Sequence, residues 1–137
     1  MKLIELKNFI QERLPDWHVS VDEAEMVNIN LDDLEPYVGA IYVEEFTTGR
    51  VSFNFAKKTA IKYEVTFIVF SEDMAPNAEE RAKIREERID PAMNSLISAL
   101  HREKNVASFT FNNYPKGFDV AEITQTIVFE AEEATGC

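Results

Sequence analysis

Two histidines, His18 and His101, and one cysteine, Cys137, are the residues of this 137-residue chain best suited to nucleophilic or metal chemistry. Neither histidine has a cysteine or carboxylate at the spacing of a metal site. His18 falls on the polar side of a short strand pattern. His101 falls near a helix C-terminus, where a cation suits the helix dipole. Surface or capping roles are the expectation for both. Cys137 lies in an acidic tail, the opposite of the electropositive setting that activates a thiolate. Acidic pairs recur, among them Asp32-Asp33, Glu44-Glu45, Glu79-Glu80, Glu86-Glu87 and Glu132-Glu133. General acid–base work needs carboxylates whose surroundings push their pKa values apart. Adjacent acids on strands or exposed helices point in different directions and stay solvated. Asp32-Asp33 with Glu35 offers oxygen ligands to a divalent cation, but lacks the calcium loop's glycine. The glycines Gly39, Gly49, Gly117 and Gly136 are scattered, so no phosphate-cradling loop is present. The residues carry no catalytic constellation, no metal set and no cofactor motif, and the expectation is a protein that is not an enzyme.

One constellation points to association instead. Val51, Phe53 and Phe55 alternate with Ser52 and Asn54, between an expected turn at Thr47-Thr48-Gly49 and another at Ala56-Lys57-Lys58-Thr59. This apolar stripe reads either as a core strand or as a hairpin arm that adds to a neighbour's sheet. Lys57 and Lys58 form one of few basic spots, suited to the acidic surface of an identical copy in head-to-tail association. Phe46, Arg50, Val51, Phe53, Phe55, Lys57 and Lys58 are therefore the candidate subunit-interface residues.

The composition frames both readings. Acidic residues number 25 against 14 basic, a net charge of -11. Such a surface repels phosphate backbones and anionic membranes, so neither nucleic-acid binding nor membrane adsorption is expected. Apolar residues make up 45% and include ten phenylalanines, a globular composition. The segment Met1-Lys2-Leu3-Ile4-Glu5-Leu6 lacks a signal peptide's apolar core, and a lone cysteine allows no internal disulfide. The expectation is a single intracellular domain over residues 1–137.

The elements follow from periodicity. Leu3, Leu6, Ile10 and Leu14 mark one face of a helix that Pro15 stops. Trp17, Val19 and Val21 mark a short strand, and Asp22–Glu25 a turn or loop. Val27, Ile29 and Leu31 suggest a further strand, cut short by Asp32-Asp33. A strand is expected over Tyr37–Phe46. Ile61–Phe70 places Ile61, Tyr63, Val65, Phe67 and Val69 on one face, and its far end, with Ile68 and Phe70, is apolar on both. Ile84, Ile89, Met93, Leu96, Ile97 and Leu100 mark a helix from Asn77 to about Lys104, a span of roughly 42 Å. Pro91 must kink or restart it near Asp90. Ser108–Phe111 and Val120–Glu130 are the last strands. On Val120–Glu130, Ala121, Ile123, Ile127 and Phe129 face inward, Glu122, Thr124, Thr126 and Val128 outward, and the tail from Glu132 frays. The fold class is α+β: an antiparallel β-sheet meander with an N-terminal helix and one long kinked helix packed on one face.

This layout resembles the tail terminator (tail completion, minor tail protein) family of long-tailed bacteriophages and prophages. In that family a strong strand like Tyr63-Glu64-Val65-Thr66-Phe67-Ile68-Val69-Phe70 leads into an acidic helix. That helix resembles Glu87-Arg88-Ile89-Asp90-Pro91-Ala92-Met93, with proline after an Arg-Ile pair and methionine two places on. A last strand like Ile123-Thr124-Gln125-Thr126-Ile127-Val128-Phe129-Glu130 closes the domain. The residue-level likeness covers Tyr63–Met93 and Ala121–Glu130, and Val21–Leu34 has no counterpart. The resemblance implies a structural role without catalytic residues: a homo-oligomeric, hexameric ring that caps the tail tube. Its partners are itself, the tail tube protein and the head–tail connector protein, and its place is the virion tail after assembly in the host bacterial cytoplasm. The alternatives are another phage neck or adaptor component, a small-molecule-binding or enzymatic α+β domain, and an acidic DNA mimic.

Overall fold

The segment Ile61–Phe70 decides the architecture. Ile61, Tyr63, Val65, Phe67 and Val69 fall on one side of an extended chain and Ile68 and Phe70 on the other, and all seven are buried. A strand apolar on both sides must lie inside a sheet with material packed on each face. The computed structural model describes residues 1–29, 34, 36–52, 55–71, 76–118 and 121–135, and describes the backbone alone at 47–52, 55–60 and 131–135. The segment forms most of β3 (Phe55–Phe70). β3 is the middle of a five-stranded sheet of order β1-β2-β3-β5-β4, with β1 (Trp17–Ser20), β2 (Gly39–Ser52), β4 (Thr110–Asn112) and β5 (Glu122–Thr135). One face carries α1 (Leu3–Arg13) and the long helix: α3 (Ala78–Ile84), a π turn (Arg85–Ile89) and α4 (Asp90–Lys104). Leu6, Ile10, Ile89, Leu96 and Leu100 meet Tyr63, Val65, Phe67 and Ile127 there in one core. A smaller cluster on the opposite face joins Ala40, Tyr42, Ile68 and Phe70 to Met26, Ile29 and Leu34. The expected α+β class holds, and no helix among the described residues is long and apolar enough to cross a membrane.

β2–β3, β3–β5 and β4–β5 are all antiparallel; the expected meander holds for β2–β3 and β4–β5, whereas β5 inserts between β3 and β4. β1 also departs from the meander and pairs parallel to β2, from Trp17 opposite Gly39 to Ser20 opposite Tyr42. Residues 21–38 provide the crossover of about a dozen or more residues that a parallel pair requires. Within that crossover lies α2 (Glu23–Val27) in place of the expected loop and strand. Asp22 caps it, its side chain accepting the Ala24 N–H at 2.9 Å, and the helix lets Met26 reach the second core. Leu31, the last residue of that expected strand, lies outside the described residues.

Two expected turns are strand. Thr47, Thr48 and Gly49 stand in β2 opposite Ile61, Ala60 and Thr59, and Ala56–Thr59 belongs to β3. The tail runs on as β5 to Thr135, opposite β3 down to Lys57. Residues 58–61 are paired on both sides, and that ladder outweighs local turn preferences. A second correction concerns β5: Glu122, Thr124 and Thr126 do turn away from the helices, yet they are buried. The loop 113–118 covers them, with Thr124 Oγ1 donating to the Asn113 and Tyr114 carbonyls at 3.4 and 3.1 Å. Thr66 and Thr126 hydrogen-bond to each other at 3.0 Å beneath it.

Pro91 acts as expected, by a specific device. The Asp90 N–H bonds to the Arg85 carbonyl five residues back, so the turn before the proline holds one extra residue. This relieves the proline's conflict with the preceding turn and leaves Pro91 in the first turn of α4. The widened turn also brings Ile89, five residues after Ile84, onto the sheet-facing side, where it is buried with Met93, Leu96 and Leu100.

Gly39 marks a tight backbone approach in the sheet. A Cβ there would lie 2.4 Å from the Ile68 carbonyl oxygen and 2.9 Å from the Trp17 ring. Gly39→Ala should destabilise the protein by about 1–3 kcal/mol through overpacking, seen as a lower midpoint in urea unfolding. Gly117, at φ +80° with open space around its Cα, should cost only about 1 kcal/mol when changed to Ala. Equal midpoints for the two variants would refute the close approach.

Candidate functional site

The interface candidates share one arm. Arg50 and Val51 lie at the end of β2, and Phe55, Lys57 and Lys58 at the start of β3. Arg50 stands opposite Lys58, and Lys58 opposite Ala134 on the other side. Phe46, opposite Lys62, is 46% exposed. Phe53 lies outside the described residues. Val51 and Phe55 therefore do not share one strand: Val51 belongs to β2 and Phe55 to β3, and Ser52 pairs with Phe55. The register slips between Arg50 and Ser52, a bulge near the tip that alters the strand's twist.

The arm is three strands wide, because β5 accompanies β3 to within two residues of its start. Its flanks differ from those of the sheet's base. β1 covers β2 only as far as Tyr42, and β4 covers β5 only from Thr126 to Val128. Among the described residues, no strand pairs with the outer side of β2 over Val43–Ser52 or of β5 over Phe129–Thr135. Among the described residues each such edge is open to strand addition, over roughly 33 Å for the ten residues of β2. Glu44 and Glu45 on one edge and Glu130 on the other are charges of the kind that discourage indiscriminate edge pairing.

The base of the arm is anchored by charge. Glu44 and Glu64 are directly opposite on β2 and β3, an arrangement that repels. Lys116, from the loop 113–118, sits between them at 3.3 and 3.2 Å. All three side chains are largely shielded from water, with 22–29% exposure. The same loop places Phe118 edge-on to Tyr42 at 5.7 Å. Burial, followed by Glu44, Glu23 and Asp22, raises the Tyr42 phenol to about 12. Sequence reading missed Lys116, because nothing local links a loop lysine to two glutamates on distant strands.

The other candidate chemistry resolves into structure. His18 pairs with Glu25, which also accepts from Ser20 Oγ at 3.3 Å. The His101 Nδ1 donates to the Val106 carbonyl at 2.9 Å, tying down the end of α4. Glu80 and Asn77 form a reciprocal cap at the start of α3. No group of three or more potential metal ligands occurs among the described residues. Asp32, Asp33, Glu35 and Cys137 lie outside them. Comparison with protein-family models and with curated proteins gave no match.

Lys116→Met should destabilise the protein by about 1 kcal/mol, since it leaves Glu44 and Glu64 in unrelieved repulsion. A further Glu64→Gln change should restore part of that loss in urea unfolding; additive losses would refute the coupling. Tyr42 gives a pH prediction. Its ionisation is harder in the folded protein than in the unfolded chain, whose tyrosines ionise near 10. Stability from this source is complete below pH 10 and falls between pH 10 and about 12. Ultraviolet titration should show a late tyrosinate phase that Tyr42→Phe removes; an unchanged titration in the variant would overturn it.

Proposed function

We propose that this protein is a structural, ring-forming subunit of a phage or prophage tail, a tail terminator that caps the tube and joins it to the head connector. The observation that supports this reading is the arm with open edges on its two opposite sides. If the β5 edge of one copy adds to the β2 edge of the next, the sheet continues and each end keeps a free edge of the other kind. Such heterologous pairing propagates head to tail, and it closes into a ring when the rotation per subunit divides a full turn. Main-chain hydrogen bonds hold the contact, while side chains along the arm, including Phe46, Arg50, Lys57 and Lys58, set its register. The net charge of -11 suits a ring lumen through which DNA slides, since phosphates are repelled from its wall. The strand and helix patterns that resemble the tail terminator family lie in β3, the π turn with the start of α4, and β5, and β3 and β5 run on into the arm. The tube and connector proteins are the partners this function requires.

Light scattering and negative-stain imaging across protein concentration, with and without tail tubes, test the reading. The expected result is a closed ring of six 15.7-kDa chains. A monomer under every condition, tubes included, overturns it. Deleting Thr48–Lys57 leaves Thr47 opposite Ile61, bridged by the three residues Lys58, Thr59 and Ala60, and should give a folded monomer. An intact oligomer after the deletion would exclude the arm as the contact.

A further inference from the structure

Apart from the arm, the described residues hold a cavity with an uncompensated positive charge. It lies between the start of the long helix and the loop 113–118, with a volume of about 350 Å³. Arg81 and Arg85, one turn apart, form one wall, and Asn113, Gly117, Glu122 and Thr124 contribute to the others. The volume is within the range of small-molecule sites.

The charged groups around it are engaged, with one exception. Arg81 is pinned by its donors to the Pro76 carbonyl at 3.1 Å and the Glu122 carbonyl at 2.9 Å. Glu122 is 2% exposed, and its two carboxylate oxygens accept the Gly117 and Phe118 N–H groups at 2.7 and 3.1 Å. Thr124 donates to the loop carbonyls. The Arg85 guanidinium, partly buried on the π turn, forms no hydrogen bond or ion pair with any described residue. A partly desolvated guanidinium left without a partner, in a protein with 25 acidic side chains, is a poised anion receptor.

We propose that this cavity is a carboxylate-binding site, in which Arg85 grips the ligand and Arg81 is a fixed second positive charge. A planar monoanionic carboxylate matches the guanidinium fork in two parallel hydrogen bonds. Phosphate fits less well, because the Glu122 carboxylate lines the same cavity and repels a dianion about twice as strongly. The ligand is a small free carboxylic acid or the Asp or Glu side chain of a second copy of this chain, the same chemistry from two sources. The site stands independently of the arm, so ring formation and carboxylate binding can fail separately.

The test is an NMR titration of the intact protein, following the Arg85 side-chain Nε–H and the Gly117 and Phe118 amides. Acetate should shift all three saturably, and inorganic phosphate at equal concentration should shift them more weakly. Arg85→Gln should weaken acetate binding about tenfold or more, and Arg85→Lys should fall between it and the parent protein. Lys83→Gln removes the same charge from an exposed position on α3 and should leave binding within about twofold of the parent, because a charge in bulk solvent is screened. Equal losses in Arg85→Gln and Lys83→Gln, no shifts with acetate at tens of millimolar, or tighter binding of phosphate would each overturn the proposal. If Arg85→Gln unfolds, the parent titration and Arg85→Lys still decide it. Shifts of the same signals on concentrating the protein alone, reversed by acetate, assign the carboxylate to a second copy; acetate shifts without them assign it to a free acid.

Discussion

The structure depends on the two-sided burial of β3. Tyr63, Val65, Phe67 and Val69 face the helices, and Ile68 and Phe70 face the smaller core, so this strand belongs to both layers. Each large side chain removed from water there contributes about 1.5–3 kcal/mol. β2 and β5 are recruited as its neighbours because a buried strand must satisfy its backbone on both sides. Trp17 packs edge-on against Phe67 at 5.4 Å, which brings β1 and the end of α1 onto the same strand. The close approach at Gly39 is the counterpart of this packing on β2.

The face away from the helices shows how polar groups are used where apolar cover runs out. Ile68 and Phe70 are covered by Met26, Ile29, Leu34 and Phe118. Further along the same face, Thr66 pairs with Thr126, and Lys116 joins Glu44 to Glu64. Glu122 holds the loop that supplies Lys116 by accepting two of its N–H groups. This graded cover, dry at one end and ionic in the middle, passes into the arm. The open edges therefore begin where the supporting layers stop, which leaves them accessible to another strand.

The long helix links the two proposals. Its π turn accommodates Pro91, buries Ile89 and positions Arg85 beside the cavity. The turn is also written in the spacing: Ile84 and Ile89 are five residues apart, while Ile89, Met93, Leu96 and Leu100 follow at four, three and four. An α-helix cannot put Ile84 and Ile89 on one face, and one extra residue in the intervening turn can.

Local periodicity was sufficient for α1, β1, the buried part of β3 and the proline-restarted helix, because each buries a face whose spacing is its own signature. The same logic identified the inward residues Ile123, Ile127 and Phe129 of β5. The sequence by itself also determined the acidic charge and the absence of familiar catalytic motifs. Tertiary structure alone decided the hairpin's length, the extension of β5 and the parallel pairing of β1. Thr47-Thr48-Gly49 and Ala56–Thr59 carry turn-like residues, yet they are strand because β2, β3 and β5 satisfy one another's backbones across long sequence distances. The arrangement of the candidate interface residues was not legible: Val51 lies in β2 and Phe55 in β3, two strands rather than one stripe. The contacts of Lys116 and the isolation of Arg85 were equally hidden, since both depend on residues tens of positions away that only the folded chain brings together or keeps apart.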